Sequence, residues 1–279
     1  MIDLLQQKLG SMTKALEILY VKEGAKPAAR IIVDEEKADE LIKYLDGLFI
    51  VKSDFKIKKE VDERRQYSDK GIRLPVSSKE NGQVFLYLSK SIEKAESAKR
   101  LEEENRHMEL GIALGYPECC AEFFNKNFPI ESKKQNDYTL AALKNSQGYK
   151  FPFYTNTAIR HLDLTLLSHF PCSFNCKNSI ELAKKNLDTL EKHSRELGLI
   201  FQGMLKGPVI YTEKYGVFLL RNAQISNDEI TYNGIFGSLN NNLYSLLKKS
   251  EKIQVVSKNH IKLEKNELKG DDVGVMLFI

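Results

Sequence analysis

In the first 90 positions, the spacing of the apolar residues is typical of a strand in some segments and of a helix in another. Apolar runs at 29–33, 48–57 and 84–88 predict three strands. Between the first two, the apolar residues of 38–45 recur at helical spacing and predict a helix. The polar residues between the second and third strands predict a long loop. Residues 1–90 are therefore predicted to form an α/β segment.

The middle of the chain, residues 91–198, has helical periodicity. Apolar positions three and four residues apart predict five helices, at about 92–115, 117–126, 137–146, 156–168 and 174–197. Gly115 and Gly198 are the expected stops of the first and the last.

From residue 199 the period changes again. Short apolar runs predict strands at 209–211, 217–220, 230–236, 253–256, 261–263 and 273–279. Such spacing predicts a small β-barrel or sandwich. The fold class expected for the whole chain is therefore α+β, with the α/β segment 1–90, a helical region 91–198 and a β-rich module 199–279.

Composition and charge exclude several protein classes. The 279 residues are 42% hydrophobic, which is enough to bury one large core or two smaller ones. No apolar stretch reaches the about 18 residues of a transmembrane helix, and the first residues lack the pattern of a secretion signal. We therefore expect a soluble cytoplasmic protein with no membrane partner. The net charge of +4 is spread along the chain, so nucleic-acid binding is possible but not indicated.

All four cysteines lie in two short segments, 115–120 and 169–176, and each segment has a proline shortly before its first cysteine. Proline favours the first turn of a helix, so Cys119 and Cys172 are both predicted to lie at helix N-termini. The positive end of a helix dipole stabilises a thiolate and lowers the thiol pKa below about 8.5. Thiolates are the form needed for metal binding, nucleophilic attack and redox exchange.

The spacing of the cysteines suggests a shared site. Cys172 and Cys176 would lie one turn apart on a helical face, and His169 could join them. The neighbours Cys119 and Cys120 rarely both reach one metal ion, whereas a multi-iron cluster can take both. An iron–sulfur cluster bound by the four cysteines, with His169 as ligand or acid/base partner, is the first expectation. Zinc bound by two or three cysteines and His169 is the alternative. A thiol-redox pair without metal, or four unrelated core cysteines, are further possibilities.

Two short motifs of the chain are distinctive in combination, GYPxCC over residues 115–120 and HxPCSxxC over residues 169–176. Together they resemble the signature of an uncharacterised prokaryotic family, a domain of unknown function found in archaea and bacteria. The resemblance covers about residues 100–200. Because that family has no established activity, the resemblance implies one shared site and no particular reaction.

Three side chains are candidates for catalysis beside the cysteines: Asn156, Arg160 and His169. Asn156 is either a helix N-cap or a substrate ligand. Arg160 could bind a carboxylate or phosphate of an unknown small-molecule substrate, or pair with a surface acid. No phosphate-binding glycine loop, serine-hydrolase elbow or HExxH zinc motif is present in the sequence.

These observations favour a metal-dependent enzyme or a cofactor-handling protein of unknown reaction. The first alternative is an RNA-binding protein that uses the C-terminal β-module and the basic stretches Lys56–Lys59 and Arg64-Arg65, with a structural cysteine site. The second alternative is a thiol-redox protein.

Overall fold

A computed structural model of the protein describes residues 2–60 and 71–279. Within these residues the fold is mixed α+β, as the sequence predicts. The helices are α1 (Ile2–Leu9), α2 (Met12–Lys22), α3 (Glu35–Tyr44), α4 (Ile92–Glu103), α5 (His107–Ala113), α6 (Glu118–Lys134), α7 (Thr139–Lys144), α8 (Lys177–His193), α9 (Arg195–Leu205) and α10 (Asn242–Ser250). The strands are β1 (Ala28–Asp34), β2 (Phe49–Lys59), β3 (Gly71–Pro75), β4 (Gln83–Ser89), β5 (Lys150–Phe151), β6 (Gly207–Thr212), β7 (Gly216–Arg221), β8 (Gln224–Ser226), β9 (Glu229–Thr231), β10 (Gly234–Gly237), β11 (Lys252–Ser257), β12 (His260–Leu263), β13 (Asn266–Lys269) and β14 (Val273–Phe278).

The described residues group into two compact units. The first contains 2–60, 71–136 and 184–198, and the second contains 137–183 and 199–279. The units are defined by spatial contacts rather than by periodicity, so the three-segment division of the sequence stays a prediction.

The first unit is built on an antiparallel sheet in the order β1-β4-β2-β3. Alternate residues of β1 and β4, such as Ile31 and Leu86, pack with α1, α2 and α3 in one core. The opposite face, including Tyr87, packs with α4 and α5. The predicted strands at 29–33, 48–57 and 84–88 are confirmed.

The predicted loop before β4 contains β3, so that prediction is wrong at residues 71–75. Most of β3 is exposed, and its sequence therefore lacks the apolar alternation that marks a half-buried strand.

The single helix predicted over 92–115 is interrupted between α4 and α5. Asn105 adopts a positive φ of 55° there, a conformation that asparagine tolerates better than most residues. The amide of Asn105 donates to the carbonyl of Glu102, and the amide of Arg106 donates to that of Leu101. This pair of bonds is the Schellman arrangement that ends a helix.

The helix predicted over 156–168 is also wrong. Among the described residues this region holds only a 3-10 turn at Arg160–Leu162, which follows another at Phe153–Thr155. The hydroxyl of Thr165 donates to the carbonyl of Leu167 and accepts from its amide. Such local side-chain bonds compete with helix formation and favour turns.

Gly198, the expected end of the helix predicted over 174–197, lies inside α9 and does not stop a helix.

The second unit contains two five-stranded sheets, in the orders β10-β7-β6-β14-β5 and β13-β12-β11-β9-β8. Neither closes into a barrel within the described residues, so the predicted barrel is not confirmed. Residues of both sheets contribute to one hydrophobic core, for example Phe218 and Val275 from the first sheet and Ile253 and Ile261 from the second. Leu247 of α10 completes this core. The sequence pattern did not predict α10.

Candidate metal centre

Cys119 and Cys120 lie in the first turn of α6. Pro117 is the N-cap, and its carbonyl accepts the amides of Cys120 at 2.9 Å and of Ala121 at 3.0 Å. The two sulfur atoms are 3.9 Å apart. The prediction that Cys119 lies at a helix N-terminus is confirmed. The positive end of the helix dipole therefore lies beside both cysteines.

Cys172 does not begin a helix, because α8 starts only at Lys177. It lies in an irregular loop, and Cys176 ends this loop with its amide bonded to the Ser173 carbonyl. The carbonyl of Cys176 accepts from Ile180 at 3.0 Å, so Cys176 sits where the helix begins. The prediction of two sulfurs one helical turn apart is therefore wrong.

The loop is anchored by Phe174, whose side chain is fully buried. Its ring packs against Phe151 and Phe278, at centroid distances of 5.2 and 5.4 Å. The amide of Phe174 donates to Ser146 Oγ at 2.8 Å, and its carbonyl accepts from Thr155 Oγ1 at 2.8 Å. A helix beginning at Cys172 would bond the Phe174 carbonyl to an amide one turn later, and the bond from Thr155 competes with that helix.

The structure brings all four cysteines together. Each offers one sulfur, and the sulfurs of Cys119, Cys120, Cys172 and Cys176 all lie within 4.8 Å of one another. Cys120 and Cys176 are buried, and Cys119 and Cys172 are half-buried. A set of four convergent sulfurs with these distances could hold a metal ion. The prediction of a shared cysteine site is confirmed to this extent.

His169 is not a member of this group of sulfurs. It is buried, and its Nε2 lies 3.0 Å from Ser179 Oγ in the first turn of α8. This contact fixes the imidazole next to the start of α8. A role of His169 as a ligand or an acid/base partner stays a prediction.

Arg160 belongs to a buried charge cluster. Its guanidinium lies 3.4 Å from Asp137 Oδ2 and stacks over the ring of Phe170 at 4.7 Å. His161 Nε2 is 3.2 Å from the same carboxylate oxygen. Burial alone would raise the pKa of Asp137, but the charge of Arg160 and the hydrogen bond of His161 outweigh burial and hold that pKa well below its ordinary value. Arg160 thus has an acidic partner, which is buried rather than on the surface.

Asn156 is fully buried and follows a 3-10 turn, so it is not the N-cap of a helix. Its amide nitrogen donates to the carbonyl of Leu205 at 2.8 Å. Its carbonyl oxygen has no hydrogen-bond partner among the described residues. A role as a substrate ligand stays a prediction.

The basic stretches of the RNA hypothesis are partly compensated by acids. Lys56 is buried and pairs with Glu35 at 2.7 Å, and Lys58 pairs with Glu80. Arg64 and Arg65 lie outside the described residues.

Residues outside both cysteine motifs support the Cys172 loop. Asn145 Nδ2 donates to the carbonyl of Cys172 at 3.2 Å, and Lys258 Nζ donates to three carbonyls around Ser146. The separation between Lys258 and Ser146 is 112 positions. No periodic or motif signal connects residues so far apart, and only tertiary pairing brings them together.

No family model, curated protein or solved structure matches this chain. The resemblance to the uncharacterised prokaryotic family therefore stays a prediction. No helix among the described residues combines the length and apolar character needed to cross a bilayer.

Proposed function

We propose that this protein binds a single transition-metal ion, preferentially zinc, through the thiolates of Cys119, Cys120, Cys172 and Cys176. The observation that carries the proposal is the spacing of the four sulfurs, all within 4.8 Å of one another. Thiolate-rich sites select zinc or iron–sulfur clusters, so the distances between the sulfur atoms are the basis for choosing between the two.

The spacing favours one ion over a cluster. With a zinc–sulfur bond of about 2.3 Å, the sulfurs of a tetrahedral site lie about 3.8 Å apart. The 3.9 Å between Cys119 and Cys120 agrees with that edge length. In a multi-iron cluster the thiolates bind different iron atoms and are farther apart than ligands of one ion. The adjacent pair, which suggested a cluster in the sequence, is thus also suited to a single ion.

Four protein ligands complete the coordination of zinc and leave no open position for a substrate. A closed site of this kind stabilises the protein, because the binding free energy of the ion is also folding free energy. The proposed role is therefore structural or metal-holding rather than Lewis-acid catalysis.

The test is metal analysis of protein purified without oxygen. We expect about one zinc per chain, tetrahedral Co²⁺–thiolate absorption bands after substitution with cobalt, and a marked loss of both in Cys172→Ser. Ser173→Ala is the matched control, because it changes a neighbouring side chain of the same loop that is not a thiol. If the purified protein contains iron and sulfide, the site holds the iron–sulfur cluster expected from the sequence, and the zinc assignment is wrong. Folded protein with no metal and no affinity for added zinc would refute the proposal.

A further inference from the structure

We propose that Lys258 is a positioning residue for the cysteine loop, defined as residues 172–176. The inference rests on the proposed metal site, because it assigns to Lys258 the task of holding two of the four sulfurs at ligand spacing.

The ammonium group of Lys258 binds the end of α7. Its Nζ donates to the carbonyls of Leu143, Lys144 and Ser146, each at 3.0 Å. The last carbonyls of a helix lack intrahelical partners, and a lysine near them satisfies these acceptors and the negative end of the dipole. The carbonyl of Lys258 itself accepts from Val275 of β14 at 2.8 Å. The lysine is therefore fixed at its backbone by a central strand and at its tip by three acceptors.

The same turn after α7 holds the cysteine loop. Ser146 Oγ accepts the amide of Phe174 at 2.8 Å, Asn145 Nδ2 donates to the carbonyl of Cys172 at 3.2 Å, and the Gln147 amide donates to Asn175 Oδ1 at 3.1 Å. Three consecutive residues thus contact the loop on both sides of Phe174. A shift of this turn would move the loop, and with it the sulfurs of Cys172 and Cys176.

Positioning and simple capping of α7 lead to different results. A lysine that only caps α7 would change the stability of the protein and leave the sulfur spacing intact. A lysine that positions the loop would also change metal affinity, as outer-shell partners of metal sites commonly do by about 10–100-fold. The dynamics of the loop in metal-free protein would change as well.

The test compares Lys258→Met, which keeps the aliphatic stem, with Lys258→Arg, which keeps the charge and the donors. The control is Lys262→Met, at an exposed lysine on β12. Zinc affinity is measured by competition with a chelator at a temperature where all variants are folded. We expect about tenfold weaker binding for Lys258→Met, a smaller change for Lys258→Arg and none for the control.

Hydrogen exchange of the metal-free proteins is the second readout. We expect faster exchange of the Phe174 amide in Lys258→Met and unchanged exchange in Lys262→Met. Wild-type zinc affinity together with wild-type exchange in Lys258→Met would overturn the inference. If wild-type protein binds no zinc, the proposed function fails, and the exchange measurement alone decides the role of Lys258.

If Lys258→Met does not fold, a second variant tests the contact between Ser146 and the cysteine loop. Ser146→Ala removes the hydroxyl that accepts the Phe174 amide. We then expect the same loss of zinc affinity and of amide protection from that variant, and wild-type values of both would overturn the inference.

Discussion

Removing the charge of Asp137 should destabilise the protein strongly. The side chain of Asp137 is 3% exposed, and Asp137→Asn keeps its shape while it neutralises the carboxylate. Its Oδ1 accepts the Thr139 amide at 2.9 Å, and its Oδ2 faces His161 and Arg160 at 3.2 and 3.4 Å. Breaking a buried ion pair by removing one partner costs about 3–5 kcal/mol, because the other charge is left buried. Arg160 is 17% exposed, so we expect the lower end, about 3 kcal/mol.

A surface pair provides the matched control. Asp39 contacts Lys52 at 2.9 Å but is 76% exposed, so Asp39→Asn makes the same chemical change in solvent. Exposed ion pairs contribute about 0–1 kcal/mol and are screened by salt. The two variants therefore separate the effect of burial from the effect of distance.

The assay is urea denaturation of both variants and the wild type between pH 5 and 7. Because the folded pKa of Asp137 is depressed, its contribution is present above its unfolded pKa of about 3.9 and is lost only as pH falls through the folded pKa. The carboxylate of Asp137 thus stays charged across this range, and the deficit of Asp137→Asn at pH 7 should persist in high salt. A deficit no larger than that of Asp39→Asn would refute the reasoning.

Two further predictions concern the first unit. The pKa of His107 is lowered, mainly by burial against Phe128, so protonation favours the unfolded state and stability should fall as pH drops below about 6.5. The stability of His107→Gln should depend less on pH between 7 and 5, and an identical pH slope in urea titrations would contradict this. Gly115 has a φ of 82°, and an added Cβ would lie 2.6 Å from Cδ of Pro27. We expect Gly115→Ala to cost more than about 2 kcal/mol in denaturation experiments, against about 1 kcal/mol for Gly148→Ala, which has similar φ but open space. Equal losses would show that the contact with Pro27 is unimportant.

Local patterns predicted the elements whose residues form apolar runs. β1 and β4 pack against helices on both faces of their sheet, so most of their residues are apolar, and the sequence shows these runs directly. Pro117 likewise marks the start of α6, because the consequence of its missing amide is local. The proximity of the four cysteines could also be predicted, because two short motifs contain all of them and clustered thiols suggest a shared site.

The remaining features depend on contacts between distant parts of the chain. Pro171 and Cys172 look like a helix start in the sequence, but the hydrogen bonds of Phe174 to Ser146 and Thr155 favour a loop. These partners lie 28 and 19 positions away, beyond the reach of helical or strand periodicity. The proposal of a single ion also rests on three-dimensional spacing, because the adjacency of two cysteines in the sequence is compatible with either a cluster or one ion.

The position of β14 constrains the order in which the second unit can form during translation. β14 is made after β5, β6 and β7, yet it lies between β6 and β5, antiparallel to the former and parallel to the latter. Until β14 leaves the ribosome, one edge of β6 has no partner from this sheet, and unpaired edges are prone to association with other chains. Pairing of strands so distant in sequence is also intrinsically slow. A nascent chain stalled before β14 should therefore need chaperone protection that the completed unit does not.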